Sequence, residues 1–161
     1  VSTGLLIVYT GDKKGGSAAV LGQAFRALGR GLRVCIINCA PEMRISQDLV
    51  WPDGVQGFLE VHDLNESATP DCREVPGQGD AEFGLRLVKD ALTSGRFDMV
   101  VLNEIADWSS AAPDNAEALI DLLLSRPEGL HLLVAGQDVP HEILAAADLV
   151  TEARAFAPLT R

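Results

Sequence analysis

The stretch Leu5-Leu6-Ile7-Val8-Tyr9-Thr10-Gly11-Asp12-Lys13-Lys14-Gly15-Gly16-Ser17 decides the fold. Its first five residues are an unbroken apolar run closed by Thr10-Gly11, the pattern of a short buried strand. From Ser17 to Leu28 the apolar positions change period: Ala18, Leu21, Ala24, Phe25 and Leu28 recur at three- and four-residue spacing. That spacing predicts an amphipathic helix, stopped by Gly29 and Gly31. Val34 to Ile37 follows as a second apolar strand. Strand, glycine-bearing turn, helix and strand make a βαβ unit with a right-handed crossover.

The same alternation continues beyond this unit. Ala81 to Leu92 reads as a helix, Met99 to Leu102 as a strand, Ala116 to Leu124 as a helix with Asp114 as its N-cap, and Leu130 to Ala135 as a strand ended by Gly136. Pro140 to Ala147 reads as a short helix and Leu149-Val150-Thr151 as a last strand. Near-continuous apolar strands between helices predict a mostly parallel sheet covered on both faces. The expected fold is therefore α/β, a three-layer α/β/α arrangement of the P-loop NTPase-like kind. Residues 1–161 are expected to form one domain, with an irregular insert over about 41–79 that holds only one strand-like run, Gly57 to His62.

The composition narrows the partners. A formal net charge of −10 repels phosphate backbones and anionic lipid, which speaks against nucleic acid and membranes. It leaves room for a nucleotide, because backbone N–H groups and a few local cations hold a phosphate even in an acidic protein. No apolar run is long enough to cross a bilayer, and the first residues lack the pattern of a signal peptide. Cys35, Cys39 and Cys72 are an odd set, read as reduced thiols of a cytoplasmic protein and not as zinc ligands.

Candidate chemistry gathers at the ends of strands. In the turn from Gly11 to Ser17, glycines let the backbone approach an anion, and the N–H groups of the helix start point at it. Gly11, Lys13, Lys14, Gly15, Gly16 and Ser17 are thus the candidate nucleotide-binding residues. Ser17 stands where a P-loop hydroxyl binds Mg²⁺. The plain alternative is a glycine-rich turn with no ligand. Gly16 occupies the place of the phosphate-binding lysine, a role Lys14 would have to fill from elsewhere. Asn103-Glu104 follows the strand Met99 to Leu102, at the strand edge where α/β sheets gather ligands. Asn103 and Glu104 are candidate metal-binding residues together with Ser17, and Glu104 is the candidate catalytic residue; the alternative for Glu104 is a solvated loop acid. Asp138, at the corner after Gly136, is expected to cap the short helix. His62, His131 and His141 are scattered and read as structural or solvated, while Trp51 and Trp108 either stack on a planar ligand or pack in loops.

The ordered set of motifs resembles the corrinoid adenosyltransferases, the ATP:cob(I)alamin type with a P-loop fold. The similarity runs through Gly4 to Gly11, Lys14-Gly15, Ala27-Leu28-Gly29, Phe97 to Leu102, Glu104-Ile105, Arg126-Pro127-Glu128-Gly129, Gly136, Pro140, Ala147 to Glu152 and Arg154. The resemblance implies transfer of the 5′-deoxyadenosyl group of ATP to the cobalt of a reduced corrinoid. In that reaction Co(I) attacks the ribose 5′-carbon and triphosphate leaves. It further implies Mg²⁺, ATP and a corrinoid as cofactor and substrates, and a homodimer. Lys13-Lys14-Gly15-Gly16 also resembles the opening of a ParA-like ATPase loop, whose continuing G-K-T is absent here.

Against the family loop G-N-G-K-G-K-T-T, this chain carries Asp12, Lys13, Gly16, Ser17 and Ala18 in place of the N, the second G, the last K and the two threonines. Asn103 replaces the aspartate of V-L-D-E, and Gln137 the arginine of T-G-R. No aromatic pair matching the family's corrin-facing segment lies between Phe58 and Ala68. Each lost charged contact of this kind costs about 3 kcal/mol of transition-state stabilisation, roughly a hundredfold in rate. The family's reaction and a binding role without turnover are therefore both open readings.

Overall fold

A computed structural model of the chain describes residues 3–40, 44–64, 78–105 and 113–157. Each apolar run becomes a strand: β1 (Leu6–Gly11), β2 (Val34–Asn38), β3 (Leu59–Asp63), β4 (Met99–Asn103), β5 (His131–Ala135) and β6 (Leu149–Ala153). They form one sheet in the order β3-β2-β4-β5-β1-β6, with every pairing parallel. Between them run α1 (Lys13–Leu28), α2 (Ile45–Asp48), α3 (Gln78–Thr93), α4 (Pro113–Leu124) and α5 (His141–Ala146).

The alternation of side chains along each strand builds two apolar interfaces. Leu6, Val8, Val100, Leu102, Leu132 and Val134 share a cluster with Val88 and Leu92 of α3, Leu119 and Leu123 of α4, and Ile143 of α5. On the other face Ile36, Val101 and Leu133 share one with Val20, Ala24 and Ala27 of α1. This is the expected three-layer α/β/α arrangement. β2 and β4 are buried at every position, as a strand covered on both faces must be, and this explains their unbroken apolar runs. Burial of each such side chain contributes about 1.5–3 kcal/mol.

Several boundaries differ from the sequence-based expectation for local reasons. Helix α1 begins at Lys13, four residues before Ser17, because Asp12 adopts an extended conformation (φ −64°, ψ 123°) and caps it. Helix α4 begins at Pro113, so Asp114 lies inside its first turn and is not the cap. Proline fits that opening position because its missing N–H has no partner there in any case. Asp138 caps nothing: α5 starts after Pro140, with no side-chain cap bond. The expected irregular insert holds ordered structure in its described part, the helical turn α2 and the edge strand β3. Trp51 takes the packing alternative, its ring stacked on Phe25 with centroids 4.6 Å apart. His131 Nδ1 accepts the Leu5 N–H at 3.2 Å, and His62 lies 3.5 Å from Glu60, both within the structural reading. The Lys13 side chain, Cys72 and Trp108 lie outside the described residues.

Candidate functional site

Parallel strands bring their carboxyl ends to one edge, and the sequence places a polar residue at the end of three of them there, β2, β3 and β4. β1 ends at Gly11, whose φ of +94° is left-handed and costs glycine little. A side chain at position 11 would collide with the backbone carbonyl of Ala153, the last residue of β6. One at position 15 would put its Cβ 2.9 Å from the Ala153 Cβ. The end of β6 is therefore seated on the glycine turn, and the Asp12 N–H donates to Ala153 O at 2.8 Å. Two of the loop glycines have a packing reason that requires no ligand.

The start of α1 satisfies two of its donors from Asp12. Asp12 Oδ1 accepts the Gly15 N–H at 3.0 Å, and the Asp12 carbonyl accepts the Gly16 N–H at 2.9 Å. A carboxylate at a helix N-terminus is favoured by the dipole and occupies the place an external anion would take. Lys14 is exposed on the first turn. Gly16 is buried, yet a Cβ there would meet nothing nearer than the Tyr9 carbonyl at 3.7 Å, an ordinary contact.

One turn into the helix, Ser17 is buried and its Oγ donates to Glu104 Oε1 at 2.9 Å. Glu104 is 2% exposed and adopts φ +56°. A non-glycine residue pays about 1–2 kcal/mol for that left-handed conformation. Such strain, held in place by a buried contact, is characteristic of functional sites. The structure thus brings Gly11, Gly15, Gly16, Ser17, Asn103 and Glu104 to one edge. Gln137 is at the same edge on the β5–α5 corner, exposed, with its carbonyl accepting from Thr10 Oγ1 at 3.0 Å.

A second feature was not foreseen from sequence. The register pairs Asn38 with Asn103 on one side and with Asp63 on the other, so the ends of β4, β2 and β3 share one rung. Asn103 Nδ2 donates to Asn38 Oδ1 at 2.9 Å, and Asn38 Nδ2 donates to Asp63 Oδ1 at 2.7 Å. Asp63 also accepts the Ile45 N–H at 3.0 Å, the Ser46 N–H at 2.9 Å and the Ser46 hydroxyl. Burial pushes the Asp63 carboxyl up, but its bonds from Ser46, Asn38 and Ile45 outweigh burial and hold it below the usual carboxylate value. All three rung residues are buried. The available signal was that the apolar runs before Asn38 and Asn103 each stop on a polar residue, as the strand-like run before Asp63 also does.

A family model described as ATP:corrinoid adenosyltransferase BtuR/CobO/CobP matches residues 2–157, nearly the whole chain. The chain belongs to the ATP:corrinoid adenosyltransferase family. The corrinoid adenosyltransferase of Escherichia coli (strain K12) is 28% identical over 166 residues, covering 94% of this chain and 76% of that protein. The corrinoid adenosyltransferase CobA of Salmonella typhimurium is 29% identical, with the same coverage. An uncharacterized Nostoc protein, all2391, is 27% identical and matches this chain over 43% of its own length. The crystal structure of the RadB recombinase superposes with a TM-score of 0.54 at 16% identity, over 94% of this chain and 74% of that one, a likeness of fold. The P-loop-like architecture thus agrees with membership of the adenosyltransferase family. Among the described residues no group of three or more His, Cys, Asp or Glu could hold a metal ion, and no helix is long and apolar enough to cross a membrane.

Proposed function

We propose that this chain is an adenosyltransferase-family protein that does not turn over ATP, because its triphosphate seat is filled from within. The observation that carries the reading is the Asp12 carboxylate on the Gly15 N–H. It puts a fixed negative charge at the helix start, where the family's loop receives phosphates. Gly16 supplies no cation there and Asn103 no charge for Mg²⁺, so the residues do not fit a Mg·triphosphate. The edge keeps its glycine turn and its buried Ser17–Glu104 pair, and is suited to binding without transfer.

One observation favours the active alternative. Ser17 and Glu104 are joined at 2.9 Å, so the hydroxyl and acid of a P-loop metal site are both present. In that case Lys14 neutralises the leaving triphosphate. Titration of Mg·ATP by calorimetry at fixed low salt, on the native chain and Gly16→Lys, separates the two. The proposal expects no binding by the native chain and a gain of at least tenfold on adding the lysine. Micromolar binding by the native chain sinks it, and adenosyl transfer to cob(I)alamin is then the assay to run.

A further inference from the structure

The rung Asn103–Asn38–Asp63 has a direction. Asp63, held as a carboxylate, has only acceptors to offer, so Asn38 must turn its Nδ2 toward it. That leaves Asn38 Oδ1 facing β4, where it takes hydrogen bonds from Asn103 Nδ2 and from the Ala40 N–H. Position 103 must therefore supply a donor. An aspartate there would set a carboxylate oxygen against Asn38 Oδ1, with both groups buried. Flipping Asn38 to relieve that clash would turn its Oδ1 onto the Asp63 carboxylate. Asn103 Oδ1, at the far end of the row, is fully buried and has no hydrogen-bond partner among the described residues.

We propose that Asp63 is a positioning residue which, acting through Asn38, requires an amide at position 103 and so keeps the end of β4 from holding a divalent cation. The full charge of this rung sits on β3, two strands from β4 or about 10 Å at ordinary strand spacing. There it caps the backbone of α2 and is spent on Ile45 and Ser46. The amide at position 103 is then the counterpart of the aspartate at position 63. The inference rests on reading this edge as the place where the family holds its metal.

The test moves the charge back. With Asn103→Asp and Asp63→Asn together, the row can reverse: the new carboxylate accepts from Asn38 Nδ2, and Asn38 Oδ1 accepts from the new amide. The Ile45 N–H and the Ala40 N–H are then left without their acceptors. Asn103→Asp should therefore cost at least tenfold more in the folding constant in the native background than in the Asp63→Asn background, read by urea unfolding. Mn²⁺, followed by electron paramagnetic resonance, should bind the double variant at least tenfold more tightly than the native chain. A merely structural role for Asp63 would not move that second readout. Equal costs in the two backgrounds, including failure to fold in both, would overturn the inference, as would equal Mn²⁺ affinity of native chain and double variant. Neither result depends on Mg·ATP binding to the native chain, so this proposal and the proposed function fail separately.

Discussion

Replacing Asp12 by alanine separates a cap from a filled anion seat, because the two roles respond with opposite signs. The side chain accepts the Gly15 N–H at 3.0 Å. Removing an N-cap of this kind costs about 1 kcal/mol, within a range of roughly 0.5–2. In a chain of this length 1 kcal/mol lowers the melting temperature by about 2–4 °C. The same change removes a negative charge from the helix start. Two unit charges 4 Å apart interact by about 1 kcal/mol in water and about 4 kcal/mol at an effective dielectric constant of 20. Asp12 is only half-buried, so solvent screening selects the lower part of that range. A gain of about 1–2 kcal/mol is about five- to thirtyfold in Kd. Thermal unfolding and calorimetry with inorganic tripolyphosphate, at fixed low salt, read both effects. Asp12→Ala should melt lower alone, bind tripolyphosphate more tightly than the native chain, and recover its lost stability when the anion is added. A lower melting temperature with no gain in binding refutes the filled seat, and an unchanged melting temperature refutes the cap.

Ser17→Ala should cost about 1.5–3 kcal/mol in urea unfolding, since it leaves the buried Glu104 carboxylate with one hydrogen bond fewer; a loss under about 0.5 kcal/mol means the bond is not made. Burial, helped by the negative charge of Glu60, pushes the Cys35 thiol up to about 12 from its ordinary value of 9.0. The folded thiol thus stays protonated where the unfolded one ionises, so its contribution is complete below pH 9.0 and is lost as the pH rises toward about 12. Over that window the native chain should lose about 1.4 kcal/mol per pH unit that Cys35→Ala does not. Identical slopes from pH 9 to 11 would show that folding does not hold the thiol neutral.

The fold was legible because its signal is local. Val100-Val101-Leu102 is apolar at consecutive positions, and only a strand covered on both faces buries all three. The edge that carries the candidate site was legible for the same reason, since strand ends can be read from where the apolar runs stop. What could not be read was contact across the sheet. Asn38, Asp63 and Asn103 are scattered along the chain, and only the register of three parallel strands makes them one hydrogen-bonded row. In the sequence Asp12 stands out only as a departure from the family loop, whereas its position one residue before α1 makes it the group that starts the helix.

The glycine turn shows why a motif of this kind admits two readings. A phosphate and a neighbouring strand both demand residues without a side chain, since both need close approach to the backbone. Ala153, far away in sequence, makes that demand at Gly11 and Gly15. Those two glycines would be retained whether or not an anion ever bound, so they carry no evidence for a nucleotide. Gly16 differs from both. It lies inside α1, where glycine costs a helix about 0.5–1 kcal/mol relative to alanine. Its surroundings would accept a Cβ at ordinary contact distance, so packing does not require glycine there. The lysine missing from position 16 is therefore not a concession to the fold. Its loss removes a charge from the site alone, and this makes position 16 the place where restoring one residue tests the chemistry with least disturbance to the structure.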